Sequence, residues 1–318
     1  MKAAIVNEIG KTPVYGDFNT PSVSGENVLV EVTCAALSPV TKSRASGTHY
    51  SSTGDIPFIV GMDGVGTLSD GKRVYFVSPR APFGSMAEFV PIRPSQCINL
   101  PDTLDDITAA AIAIPGMSSW AALKERAQLK SGETVLINGA TGASGILAVQ
   151  IAKHLGAKKV IATGRNIEVL NLLRELGADV IIPLSQDSDA LEEKFGEEFK
   201  KGVDIVLDYL WGESAEALLI AAAKNGEEAV PIRFIQIGSI SGSDIKLPSA
   251  VLRSSAIQLM GSGIGSIPFP KLFNSIEELL SAAPTAGFQI KTRIVPLSDI
   301  EADWQTSEKG PRIVFKIK

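Results

Sequence analysis

The chain has 318 residues, a formal net charge of −5, and 45% hydrophobic against 20% charged residues. That length exceeds what one compact core usually holds, so two domains are expected. The acidic balance argues against a nucleic-acid binder, since the only basic runs are short pairs such as Lys158-Lys159 and Lys200-Lys201.

Two cysteines, Cys34 and Cys97, stand far apart in sequence, which favours a reducing compartment over a disulfide framework. The stretch from Met1 to Glu8 turns polar too early for the apolar region of a signal peptide. No apolar run approaches the ~20 residues that span a bilayer. A soluble cytoplasmic protein without a membrane partner is therefore expected.

Up to about residue 115 the chain shows short apolar runs cut by Gly, Pro and Ser. Val28–Val32 and Arg73–Val77 read as strands, with Gly61, Gly64 and Gly66 at tight turns. Little helical periodicity precedes Asp106. Ile107–Ala113 reads as a helix with Asp106 as N-cap, broken by Pro115-Gly116 and followed by a second helix over Ser118–Gln128.

From Thr134 the texture becomes a regular alternation. The predicted strands are Val135–Ile137, Val160–Ala162, Val180–Ile182, Ile205–Leu207, Phe234–Ile237 and Ile257–Met260. They are nearly continuous apolar runs, as strands covered on both faces should be. Helical stretches such as Ile146–His154, Glu168–Leu176 and Ser214–Lys224 lie between them. Gly156, Gly177 and Gly226 follow these helices where a left-handed cap would sit. The pattern predicts an α/β fold with a doubly wound parallel sheet. Ile290–Val295 and Ile313–Ile317 read as strands that return to the first domain. The expected division is therefore 1–117 with 288–318, and 118–287.

The sharpest local signal is Asn138-Gly139-Ala140-Thr141-Gly142-Ala143-Ser144-Gly145, between a predicted strand and a helix. It matches the dinucleotide fingerprint with Ala140 in place of the first glycine. Gly142 would let the backbone approach a pyrophosphate, and Gly145 would let the helix pack closely on the strand. The helix start offers free N–H groups and a positive dipole end. The next strand ends at Thr163-Gly164-Arg165-Asn166, where an NAD site usually carries an acid ~20 residues beyond the glycines. Here Arg165 stands instead and can pair with a 2′-phosphate, so NADPH is favoured.

The absences narrow the chemistry. His49 and His154 are the only histidines, which with two cysteines makes a zinc centre a poor reading. No tyrosine is followed four residues later by lysine, and no Gly-x-Ser-x-Gly elbow occurs in strand–helix context.

The whole chain resembles the zinc-free medium-chain dehydrogenase/reductases of the quinone oxidoreductase (zeta-crystallin-like) branch. The marks are Met1-Lys2-Ala3-Ala4, Val30-Glu31-Val32 leading into Leu37-Ser38-Pro39-Val40, and Gly61-Met62-Asp63-Gly64-Val65-Gly66. They continue with Gly84-Ser85-Met86-Ala87-Glu88-Phe89, Ile114-Pro115-Gly116-Met117-Ser118, the phosphate loop, and Gly310-Pro311-Arg312-Ile313-Val314. The resemblance implies a GroES-like β-rich substrate domain joined to a Rossmann NADPH-binding domain. Zinc-dependent relatives place Cys where Ser38 stands and His where Met62 stands, so no metal is implied. For the cofactor it implies Ser118 near the nicotinamide ribose or phosphate, and Gly142, Ala143 and Ser144 at the pyrophosphate. Thr163, Gly164 and Arg165 would surround the adenine ribose, Ile237, Gly238 and Ser239 the nicotinamide side, and Arg312 the cofactor phosphates. Ser38 replaces a frequent Asn, Ser43 and His49 replace tyrosines, and Leu184 replaces a Tyr at the adenosine end.

The expected reaction is NADPH-dependent reduction of a quinone or electron-poor conjugated carbonyl (an enone). Ser38, His49 and Tyr50 are the candidate pocket residues, Trp211 a candidate wall, and no catalytic residue is assigned. A 2-alkenal or enoyl-thioester reductase and a non-enzymatic NADPH-binding protein use the same phosphate loop and stay open. The strand around Ala256–Ser262 would leave a sheet edge through which the chain pairs with its twin as a homodimer.

Overall fold

A computed structural model describes residues 1–23, 25–48, 55–306 and 310–318. The chain forms two compact units, Met1–Ile114 with Leu280–Lys318, and Pro115–Leu279. Among the described residues no helix is long and apolar enough to cross a membrane.

The first unit is β-rich. Its strands are β1 (Lys2–Val6), β2 (Val14–Asp17), β3 (Val28–Ala36), β4 (Phe58–Ile59), β5 (Asp63–Leu68), β6 (Arg73–Val77), β7 (Phe89–Ile92) and β8 (Cys97–Asn99). β2, β1 and β4 form a small sheet in that order. β3 shows why such segments are strands: Val30, Val32 and Cys34 alternate inward, and the two valines pack with Val74, Phe76, Val90 and Ile92. A seven-residue helix, α1 (Pro39–Ala45), follows β3, a helix too short to leave a periodic signal in the sequence.

Helix α2 (Asp106–Ala121) corrects two expectations. Its cap is Asp105, whose carboxylate accepts from the Thr108 N–H at 2.9 Å. Asp106 is turned instead to Arg73 and to the Thr33 hydroxyl. Pro115 does not break the helix. Ser118 and Ser119 donate their hydroxyls to the carbonyls of Pro115 and Gly116, and the small side chains Ala109–Ala113 are completely buried. Burial there outweighs the local breaking tendency of Pro-Gly. The expected second helix is a π-helical turn over Ala122–Ala127 ending at the left-handed Gln128.

The second unit is an α/β sheet of six parallel strands: β9 (Thr134–Asn138), β10 (Lys159–Gly164), β11 (Val180–Pro183), β12 (Ile205–Asp208), β13 (Ile232–Gln236) and β14 (Ile257–Gly261). Helices α3 (Ala143–His154), α4 (Ile167–Glu175), α5 (Ser188–Lys200) and α6 (Gly212–Asn225) cross between them. The spatial order β11-β10-β9-β12-β13-β14 is that of a doubly wound Rossmann sheet. From β9 the chain winds one way to β11 and then returns to β12 on the other side. The carboxyl end of β9 is therefore the topological switch point, where such sheets bind ligands. Phe195, Phe199, Phe234, Leu218 and Leu219 form the core on one face. Gly156 and Gly177 take positive φ as expected, but Gly226 has φ −65° and extends into the next segment.

Back in the first unit, β15 (Thr292–Pro296) and β16 (Arg312–Lys316) complete a seven-stranded sheet in which β16 lies against β3. The first unit is the GroES-like β-rich part of the α/β fold class.

Candidate functional site

The loop leaving β9 is shaped by backbone constraints. Gly139 has φ +91°, a conformation that side chains with a Cβ rarely adopt. The Ala140 N–H donates to the Thr163 carbonyl at 2.7 Å, tying the loop to β10. A Cβ on Gly145 would lie 2.3 Å from the Gly139 carbonyl oxygen, so only glycine lets α3 pack there. Gly142 is the opposite case: it is exposed, and a Cβ would meet nothing within 4 Å. It is the N-cap of α3, and no side chain accepts from the first-turn N–H groups of that helix, Ala143 and Ser144 among them. That turn carries no acid. An open helix N-terminus with free donors and no negative charge fits the pyrophosphate of a dinucleotide.

Behind this loop lies a buried polar ladder. Thr163, Asn138 and Asp208 are register neighbours at the ends of β10, β9 and β12, and all three are fully buried. The Thr163 hydroxyl donates to Asn138 Oδ1 at 2.8 Å. Asn138 Nδ2 donates to Asp208 Oδ1 at 2.8 Å and to the Ser214 hydroxyl at 2.9 Å. Asp208 also accepts from the Leu210 and Trp211 N–H groups. Burial holds the Asp208 carboxyl above the usual carboxylate range, against the opposing pull of these donors. Its backbone carbonyl accepts from Ile237 and Gly238 at 2.7 and 3.1 Å. The turns after β9, β10, β12 and β13 thus share one set of hydrogen bonds.

All of the predicted cofactor residues except Arg312 lie in the second unit, and Thr163, Ile237 and Gly238 join this network. Thr163 is completely buried, its hydroxyl and carbonyl both spent on the loop. Gly164 lies against Thr141, where a Cβ would sit 2.4 Å from the threonine methyl. Arg165 is exposed at the end of β10 and engages no hydrogen bond or ion pair among the described residues. The next residue, Asn166, caps α4 by accepting from Glu168 and Val169. Gly238 packs on the Tyr209 carbonyl, and Ser239 is exposed. Ser118 is paired with the Tyr209 hydroxyl at 3.2 Å, and burial pushes that phenol up to about 12. Trp211 is half-buried against the core with φ +58°, an uncommon conformation for a bulky residue. Leu184 packs on the same core.

The remaining predicted residues lie in the first unit. Ser38 is buried and caps α1, accepting from the Thr41 N–H at 3.1 Å. Met62 lies against the Arg44 guanidinium. Arg312 opens β16 near Asp63, and burial pushes the Asp63 carboxyl up to about 6 although the charge of Arg312 and the Tyr75 hydroxyl oppose this. His49 and Tyr50 lie outside the described residues. Among the described residues no three His, Cys, Asp or Glu side chains cluster as a metal would require. Sequence reasoning named Asn138 only as the start of the loop and missed Asp208 and Tyr209. Their only signal was a polar residue closing an otherwise apolar strand.

Asn138→Ala should therefore cost about 3 kcal/mol of stability, because it strips buried Thr163 and Asp208 of a shared partner. Urea denaturation of the variant checks this; an unchanged midpoint would contradict the role given to the ladder.

The family model of zinc-binding dehydrogenases matches residues 143–282. The quinone oxidoreductase of Sus scrofa is 30% identical, with 87% of this chain and 82% of that protein covered. The chloroplastic NADPH-dependent alkenal/one oxidoreductase of Arabidopsis thaliana is 26% identical, with 88% and 76% covered. Among solved structures, the quinone oxidoreductase of Thermus thermophilus superposes with a TM-score of 0.82 at 24% identity, covering 100% of both chains. Phosphate loop, sheet order and relatives agree, and the chain belongs to the quinone oxidoreductase branch of the medium-chain dehydrogenases/reductases.

Proposed function

We propose that the protein is an NADPH-dependent reductase of quinones or electron-poor conjugated carbonyls that works without a metal. The observation that carries this reading is the open, acid-free N-terminus of α3 beside an exposed, unengaged Arg165. Gly142, Ala143 and Ser144 would hold the pyrophosphate through backbone N–H groups. Arg165 would take the 2′-phosphate through its planar fork, and Gly164 leaves the approach free of a side chain. Ser118, with Ile237, Gly238 and Ser239, would position the nicotinamide end, and Arg312 would add charge for the phosphates. NADPH, when bound, supplies a hydride to an electron-poor carbon. The protein's part is to orient the substrate and to stabilise the charge that develops on its oxygen. Ser38 would be among the residues of the substrate pocket. The names of relatives that reduce quinones and alkenals support this substrate class.

We also propose that the chain works in the cytoplasm as a homodimer. Both cysteines are free, in keeping with a reducing compartment. β14 is the last strand of its sheet, with Leu259 exposed on it and Ile264 just beyond. Such an edge pairs readily with a second copy. Sedimentation should show a dimer at micromolar concentration, and a monomer alone would refute it.

The direct test follows NADPH oxidation with a 1,4-quinone, a 2-alkenal and a crotonyl thioester, alongside NADH and chelator controls. Chelator-resistant turnover of quinone or alkenal, with NADPH preferred, is expected. Arg165→Ala should weaken NADPH use by about tenfold or more while leaving NADH use unchanged. Tight NADPH binding with no turnover of any acceptor would sink the reductase reading.

A further inference from the structure

Within the first unit, the segment after β6 (residues 78–83) and the end of β7 with the turn beyond it (residues 91–96) border a cavity. Its volume is about 470 Å³, inside the roughly 300–1,000 Å³ of small-molecule sites. Arg80 and Arg93 line it with the amides of Asn27 and Gln96, and Phe83 and Ile92 give it an apolar side. Among the described residues that line it none is acidic. Both arginines are exposed, and among the described residues neither guanidinium enters a hydrogen bond or ion pair.

Their backbones are fixed all the same. The Arg80 carbonyl accepts from the Phe83 N–H at 3.0 Å, and the Arg93 carbonyl accepts from the Gln96 N–H at 2.9 Å. Gln96 then ties the two turns together, because its Nε2 donates to the carbonyls of Val77 and Ser78 at 3.0 and 2.9 Å. Ser78 is held there at φ +59°, a conformation that a residue with a Cβ rarely adopts. The Gln96 brace sets two cations along one cavity before any ligand arrives, which lowers the ordering cost of binding.

We propose that this cavity binds an organic phosphate monoester. Two guanidiniums with no acid in the lining match a dianion, and a phosphate monoester carries about −1.5 to −2 at neutral pH. A carboxylate or a sulfonate brings a single charge and leaves one cation unmatched. Each guanidinium can also meet two phosphate oxygens with parallel N–H donors. The volume far exceeds what a bare phosphate fills, and Phe83 and Ile92 supply an apolar wall, so the phosphate is carried on an aromatic or aliphatic body. The Asn27 amide, which makes no hydrogen bond among the described residues, and the Gln96 Oε1 are left for polar groups on that body. The site lies wholly in the first unit and shares no residue with the proposed cofactor contacts, so it does not rest on the reductase reading.

The probe is 1-naphthyl phosphate, titrated calorimetrically into the full-length protein with and without saturating NADPH. Naphthol, inorganic phosphate and naphthalenesulfonate are the comparisons. The wild type should bind naphthyl phosphate at least about tenfold more tightly than any of the three, and equally well with and without NADPH. Arg80→Gln and Arg93→Gln should each weaken binding about tenfold while leaving thermal unfolding unchanged, since both side chains are exposed. Binding should also weaken as the pH falls from about 7.5 to about 5, where the phosphate takes up its second proton, whereas naphthalenesulfonate binding should hold steady. Equal affinity in the wild type and the Arg80→Gln/Arg93→Gln double variant would overturn the site, as would no binding at millimolar probe. Loss of probe binding in the presence of NADPH would place the probe on the cofactor loop and overturn it too. Naphthol or inorganic phosphate binding as tightly as naphthyl phosphate would contradict the ligand class.

Discussion

The second unit depends on one row of hydrogen bonds, Thr163 to Asn138 to Asp208, laid across the carboxyl ends of three adjacent parallel strands. Strands buried on both faces leave few ways to fix the turns that leave them. Here the turns are fixed by side chains that cannot relax into water, because all three residues are buried. Leaving any one of them unpaired carries the full cost of a desolvated polar group. The ladder therefore holds the phosphate loop, the Tyr209–Trp211 turn and the Ile237–Gly238 turn in one arrangement.

That arrangement has a chemical consequence. The proposed anion site is made of backbone donors on α3, with Gly142 open to solvent and Gly145 closed against the strand. Backbone donors are already oriented, so binding an anion there requires little reorganisation. At the side-chain level, charge recognition is proposed for Arg165. Arg165 is exposed and suits a doubly charged phosphate that remains partly hydrated.

Much of this was legible in the chain. The six strands of the second unit announce themselves as apolar runs because both faces are covered. The phosphate loop is legible because its glycines answer to backbone geometry, which acts locally. What was hidden depends on distant partners. Asn138 meets Asp208 seventy residues later, and nothing in either neighbourhood signals the pair. Pro115 reads as a breaker until the burial of Ala109–Ala113 is known. Gly226 reads as a left-handed cap, yet the chain extends there. Helix α1 has only seven residues, too short for periodicity to place it.

NADPH is proposed to bind at the α3 N-terminus and the end of β10. Hydrogen–deuterium exchange with and without NADPH tests it most directly, since it reads individual amides rather than turnover. Slowed exchange is expected at Thr141–Leu147 and at Gly164–Asn166, with NADH protecting the first segment and not the second. Tight NADPH binding that leaves Thr141–Leu147 exchanging at its free rate would contradict it.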